Sequence, residues 1–168
     1  MPFTPTVSQP IDLAEVYIWL RLDMNELGTS VDGLLTRLSV TALSFAEECM
    51  EATIIQRART HAFHVRPPRW SLPYGPVQSI TSVTDGDGNA VTGFTLKREA
   101  RDDYLVFHSP PVLPVTIVYV AGEASINEQV KTGMLCHVEQ LYRNADGTGD
   151  YSGIERCYAP FKRSRWVG

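Results

Sequence analysis

Residues 84–90, TDGDGNA, put Asp85, Asp87 and Asn89 at alternate positions. That is the spacing of the first three side-chain ligands in a calcium loop of the EF-hand kind. Such a loop also needs a glycine at its sixth position, to bend, and a bidentate glutamate at its twelfth, to complete the oxygen shell. Counted from Asp85, those positions hold Ala90 and Leu96. The flanks alternate as strands do, and Asp-Gly between alternating apolar residues signals a hairpin. The stretch reads as a turn, with no metal and no cofactor expected.

The remaining chemistry-bearing residues are scattered. His61 and His64 lie three apart in HAFHV, which on a strand puts them on opposite faces. His108 is isolated, and His137 falls at the edge of an apolar helix face, where a core or interface histidine is expected. Glu47 and Glu48 point about 100° apart on a helix, so they make a poor acid/base pair and read as solvated surface. No nucleophile-elbow, phosphate-loop or zinc-helix motif occurs. A metal-dependent hydrolase would rest only on dispersed His and Asp, and no enzyme is expected.

Two basic stretches carry more information. Arg57, Arg59, Arg66 and Arg69 occur with no acid among them, and residues 155–165 hold Arg156, Lys162, Arg163 and Arg165 against Glu155. Tyr158, Phe161 and Trp166 are interleaved with the second set. Basic residues mixed with aromatics suit nucleic acid or an acidic protein groove, and exposed large rings call for a partner.

These residues must be positioned by a small set of elements. A proline-bearing arm, residues 1–10, precedes a helix over about 12–22, with Asp12 and Glu15 as a capping box and Ile11 and Val16 as a staple. A second helix is expected over about 30–55. Val31, Leu34, Leu35, Leu38, Ala42, Phe45, Ala46 and Cys49 form its main apolar face. Leu43, Met50 and Ile54 form a narrower stripe, which either sits within a bundle or meets another subunit. From about 60 to 121 the period shortens to that of strands. A last helix runs over about 126–144, capped by Ser125 and Glu128, with Ile126, Val130, Met134, Val138, Leu141 and Tyr142 as its buried face. ADGTGD then reads as a hinge before a short C-terminal segment, 153–168, expected to be poorly ordered until a partner arrives. The fold class is α+β: mainly a helical bundle with an inserted antiparallel β region.

The chain has 168 residues and 43% apolar content, enough for one compact domain of 11–152 without metal or disulfide staples. Its net charge of −4 gives no bulk attraction to DNA or anionic membranes. Cys49, Cys136 and Cys157 are odd in number and widely spaced, which favours reduced thiols and a cytoplasmic site of synthesis. MPFTPTVSQP lacks the pattern of a signal peptide, and no apolar run is long enough for a membrane span.

Several stretches, in order, resemble the head–tail connector (adaptor, or head-completion) proteins of long-tailed bacteriophages and gene transfer particles. DLAEVYIWLRLD is similar to that family's opening helix. WSLPYGPVQSITSV matches its Trp-x-Leu-Pro-x-x-Pro-Val-x-x-Ile-x-x-Val segment at Trp70, Leu72, Pro73, Pro76, Val77, Ile80 and Val83. TIVYVAGE, the helix ending LYRN and CYAPFKR resemble its later strand, closing helix and ending. The likeness spans about 11–163. It departs where an acidic pair opening the second helix is reduced to Asp32, and where Glu123–Ile126 replaces a proline before the last helix.

The resemblance implies a non-enzymatic virion protein of the neck. Such a protein forms a homo-oligomeric ring, commonly of twelve subunits, beneath the portal of a DNA-filled capsid. The ring receives a stopper or tail-completion protein, and DNA passes through without sequence-specific binding. On this reading Arg156, Tyr158, Phe161, Lys162, Arg163, Arg165 and Trp166 form a portal-binding segment, and Leu43, Met50 and Ile54 line a subunit contact. A small nucleic-acid-binding module, using residues 57–69 and the basic tail, is the alternative.

Overall fold

A computed structural model of the chain describes residues 10–23, 31–99, 102–144 and 152–163. The arm 1–9 and the hinge ADGTGD lie outside the described residues. The chain divides into two compact units, Met1–Cys49 with Ile126–Phe161, and Met50–Ser125 with Lys162–Gly168.

The first unit is helical. In α1 (Leu13–Leu20) the Asp12 carboxylate accepts from the Ala14 N–H at 3.0 Å, satisfying a donor the first turn leaves open. The helix closes at Arg21, in the left-handed region (φ 56°), where the Arg21 and Leu22 N–H groups return to Ile18 and Tyr17 carbonyls. Glu15 is engaged by Lys131 at 3.2 Å, which ties α1 to the last long helix. Tyr17 donates to the Asp32 carboxylate at 2.8 Å, holding α1 to the start of α2 and pushing the phenol up.

The second helix, α2 (Asp32–Met50), stops five residues short of the expected end. Glu51 turns left-handed (φ 50°), and the run Thr53-Ile54-Ile55 is β-branched, which suits an extended backbone better than a helix. Thr53 donates from its N–H and its hydroxyl to carbonyls of the 74–75 turn, and Ile55 bridges to Glu123. The two apolar stripes of α2 are the flanks of one buried face. Its centre is a line of small residues, Ser39, Ala42 and Ala46, all fully buried. Leu34, expected on the main face, is exposed, while Glu47, expected in solvent, is buried.

Helix α3 (Glu128–Arg143) begins later than the Ser125 capping box implies. Asn127, extended at φ −61° and ψ 134°, supplies the cap oxygen to the Gln129 N–H at 2.9 Å. Val130, Met134 and Val138 are buried as the period demands, and His137 lies among them. The chain resumes as α4 (Ser152–Tyr158) and a 3-10 turn, Ala159–Phe161. Gly133 of α3 lets α4 approach closely: a Cβ there would lie 2.9 Å from the Tyr158 ring and 3.3 Å from the Cys157 Cβ.

The second unit is built on two three-stranded antiparallel sheets: β1 (Arg57–Phe63), β6 (Val115–Ala121) and β3 (Val77–Thr84) in one, and β2 (Trp70–Leu72), β5 (Asp102–Phe107) and β4 (Phe94–Glu99) in the other. On β6, Val115, Ile117, Tyr119 and Ala121 are buried in strict alternation, the pattern of a strand with one face in a core. Leu72 and Leu105 of the other sheet join Val77, Val83 and these four in a single hydrophobic cluster. The description as a mainly helical bundle is thus corrected. The strands form a unit with a core of their own, because each sheet has an apolar face that must be covered.

Residues 85–89 form a tight turn. The Asp85 carboxylate accepts from the Asp87 and Asn89 N–H groups at 3.0 and 2.8 Å, and Gly88 takes φ 84°. The Thr84–Ala90 bridge closes it. Beyond the turn the chain leaves for the other sheet, since β3 pairs with β6 and β4 with β5.

Candidate functional site

The C-terminal segment, expected to be an interface element, is described through Arg163. Tyr158 is 0% exposed. Its ring lies over Gly133 and meets Phe45 edge-on at 6.4 Å, and burial pushes its phenol well up. It packs as a core residue of the helical unit, on the inward side of its amphipathic turn. Arg156 is exposed and Phe161 half-buried. Lys162 pairs with Glu51 at 3.3 Å. Arg163 donates to the Asp103 carboxylate at 2.8 Å, and its own N–H donates to the Met50 carbonyl. Asp103 is buried and also accepts from the Val77 N–H at 2.8 Å. That carboxylate, set in the β unit, holds Arg163, the last of the described residues. Arg165 and Trp166 lie outside the described residues.

Leu43, Met50 and Ile54 are 2%, 8% and 5% exposed. They are covered within the chain, and Ile54 is beyond the end of α2, so the three share no helical stripe.

The arginine stretch 57–69 is spent internally. Arg59 donates to the Thr53 hydroxyl at 3.1 Å and stacks over Tyr74. Arg66 donates to the Pro111 carbonyl at 3.2 Å. Arg69 pairs with Glu99 at 2.7 Å and Asp102 at 3.1 Å, with its guanidinium 3.6 Å from the Tyr104 ring centre. Arg69, followed by the Tyr104 hydroxyl, holds the Glu99 carboxyl below its usual range. The acids that neutralise Arg69 come from thirty or more residues away, which the local sequence does not show.

The histidines do not converge. His61 meets Phe63 edge-on at 4.5 Å, His108 lies 3.4 Å from the Thr95 hydroxyl, and His137 packs edge-on to Phe45 at 4.6 Å. Among the described residues no group of three or more His, Cys, Asp or Glu could hold a metal ion, and no helix is long and apolar enough to cross a membrane.

One surface feature went unremarked in the sequence. A cleft of about 340 Å³ on the β unit is lined by Arg66, Trp70, Tyr104, Phe107, Pro110 and Pro111, among others. Val106, also on its lining, is 42% exposed, and Val65 and Val112 in the adjoining loops are more so. Strand alternation in DYLVF contained the signal: with Leu105 inward, Tyr104 and Val106 must face out.

No protein-family model matches this sequence, and no curated protein matches it. Solved structures do match, over essentially the whole of both chains. A chain in the neck of an empty gene transfer agent (GTA) particle, computed with C6 symmetry, aligns at TM-score 0.80 and 18% identity, covering 100% of this chain and 97% of that one. A chain in the virion of a native GTA particle aligns at TM-score 0.81 and 20% identity, with the same coverage. A chain in the neck of a native GTA particle, computed with C12 symmetry, aligns at 0.76 and 19%, covering 100% and 96%. The protein shares its fold, end to end, with these particle chains.

Proposed function

We propose that this chain is a structural neck protein of a phage-like or gene transfer particle. It works as an adaptor ring of twelve copies that joins the portal of a DNA-filled head to the stopper or tail. The observation that carries the reading is the match at TM-scores of 0.76–0.81, covering all of this chain and 96–97% of neck and virion chains. The resemblance of residues 11–163 to connector proteins supports it independently. The C6 and C12 symmetries of the matched necks fit a closed ring, which head-to-tail contacts between identical subunits generate when the rotation closes.

The protein performs no catalysis in this role. DNA passes through the ring without base readout, and the internal pairing of Arg59, Arg66 and Arg69 removes the support for a dedicated nucleic-acid surface. Portal contact falls to Arg156, Phe161, Arg165 and Trp166. Lys162 and Arg163 act as the tether behind them, through Glu51 and Asp103.

Deleting the gene in a producing cell tests the reading. DNA-packed heads that carry a portal but no tail, restored by supplying the protein in trans, are the expected outcome. Tailed, infectious or transducing particles from the deletion would refute it.

A further inference from the structure

Three thiols stand on the helical unit, and the neck reading uses none of them. Cys49 lies near the end of α2, Cys136 on α3 and Cys157 on α4, and all three are free. Cys157 is exposed, while Cys49 and Cys136 are half-buried. An oxidant from solvent therefore reaches Cys157 first.

The approach of α4 to α3 at Gly133 brings Cys157 toward Cys136. A Cβ at Gly133 would lie 3.3 Å from the Cys157 Cβ. Cys136 follows Gly133 by three residues, on the same side of α3, with about 5–6 Å between the two Cβ positions. The Cys136 and Cys157 Cβ atoms are thus within about 9 Å of each other, by helix geometry. A disulfide needs about 3.8 Å between them. Turning both side chains about their Cα–Cβ bonds, with a shift of the seven-residue α4, closes that gap. The electrostatics agrees with the geometry: burial, and after it the neighbouring Cys157, pushes the Cys136 thiol up.

We propose that Cys136 and Cys157 form a dithiol pair, which a small-molecule disulfide converts to an intramolecular disulfide that staples α4 to α3. The Cys157 thiolate attacks one sulfur of the oxidant, forming a mixed disulfide and expelling the first thiolate. The Cys136 thiol gives its proton to solvent, attacks the Cys157 sulfur and expels nothing from the protein but the second thiolate. The chain loses two electrons and two protons, and the oxidant leaves as two thiols. This chemistry belongs to the helical unit alone; the setting in which it acts rests on the neck reading. On that reading the chain is made in a reducing cytoplasm and ends in a particle released to oxidising surroundings, so closure follows release.

The test uses full-length protein, fully reduced and then exposed to graded oxidised glutathione, with remaining thiols alkylated at each time point. Mass spectrometry should find a product lighter by two hydrogens, in which the peptides bearing Cys136 and Cys157 are linked. Its melting temperature should lie several degrees above that of the reduced chain, since a cross-link restricts the unfolded state. Cys136→Ser should stop at the glutathione adduct of Cys157, and Cys49→Ser should close the link as the parent does. Melting both variants with reductant present separates lost chemistry from lost folding, and the parent's own peptide map decides the matter if a variant unfolds. A lasting glutathione adduct on the parent's Cys157, a link through Cys49, or links between chains would overturn the pair. In particles, alkylated at harvest, the link should be present after release and absent from intracellular heads. Released particles that hold the protein with free thiols overturn closure on release and leave the pair standing. Particles that lack the protein overturn the neck reading alone.

Discussion

Gly133 sits where a side chain has no room, with the Tyr158 ring and the Cys157 Cβ both inside ordinary contact of a Cβ placed there. Gly133→Leu is therefore expected to push α4 off α3 and to cost about 1–3 kcal/mol, the range for overpacking a filled core. A fall in thermal melting temperature checks it, and unchanged stability would show that α4 packs otherwise. Arg163 makes a different kind of contact, closing an ion pair on a buried carboxylate. Arg163→Ala leaves Asp103 with the Val77 N–H as its remaining partner seen here. A loss of up to about 3 kcal/mol is expected in urea unfolding, less than for a wholly enclosed pair because the guanidinium is partly wet. His137 supplies a pH dependence. Burial lowers its pKa from 6.5, so the unfolded chain binds the proton more readily than the folded one. Its contribution is complete above about pH 6.5 and is lost as the pH falls through the lowered folded value. Melting temperatures between pH 7 and 5 should drop, and His137→Leu should flatten that part of the curve. A profile with the same slope in the variant would refute the assignment.

At the scale of elements, what could be read from the sequence was whatever depends on neighbours a few residues apart. The start of α1 at Asp12, the alternation of β6 and the Asp85 turn follow from side-chain oxygens and periods visible in a short window. The end of α2 does not. Its apolar period continues to Ile54, and only the partners of Thr53 and Ile55, at residues 74–75 and 123, show why the chain extends instead. The same limit hid the burial of Tyr158, Leu43 and Met50, since an amphipathic turn has the same spacing whether it faces a partner or its own core. The corrected placement changes two expected outcomes. Leu43→Glu with Met50→Glu should unfold the protein, because two uncompensated buried charges cost several kcal/mol against a total of about 5–15. A folded double variant that failed only in assembly would restore the interface assignment. Removing residues 153–168 should likewise destabilise the helical unit by taking away buried Ile154 and Tyr158. Removing 164–168 alone takes away none of the contacts seen here and should leave the melting temperature in place while weakening attachment to heads.

At the scale of the whole molecule, the order of elements carried the resemblance to connector proteins, and the fold carries the match to particle-neck chains at identities of 18–20%. The pairing of the six strands into two sheets was not legible, because strand order depends on contacts far apart in sequence. Nor was the aromatic cleft, whose walls come from three separated segments of chain, 66–70, 104–107 and 110–111. What the chain presents is two compact units, with its last described residue, Arg163, held by Asp103 and the Met50 carbonyl. The most direct measurement is an electron-microscopic reconstruction of the neck of the particle that contains this protein, at a resolution that resolves helices. The account predicts a closed ring of twelve copies directly beneath the portal, with the C-terminal residues beyond Arg163 in contact with it. A neck in which that position is filled by another protein, with this chain elsewhere in the particle or absent from it, would contradict the account.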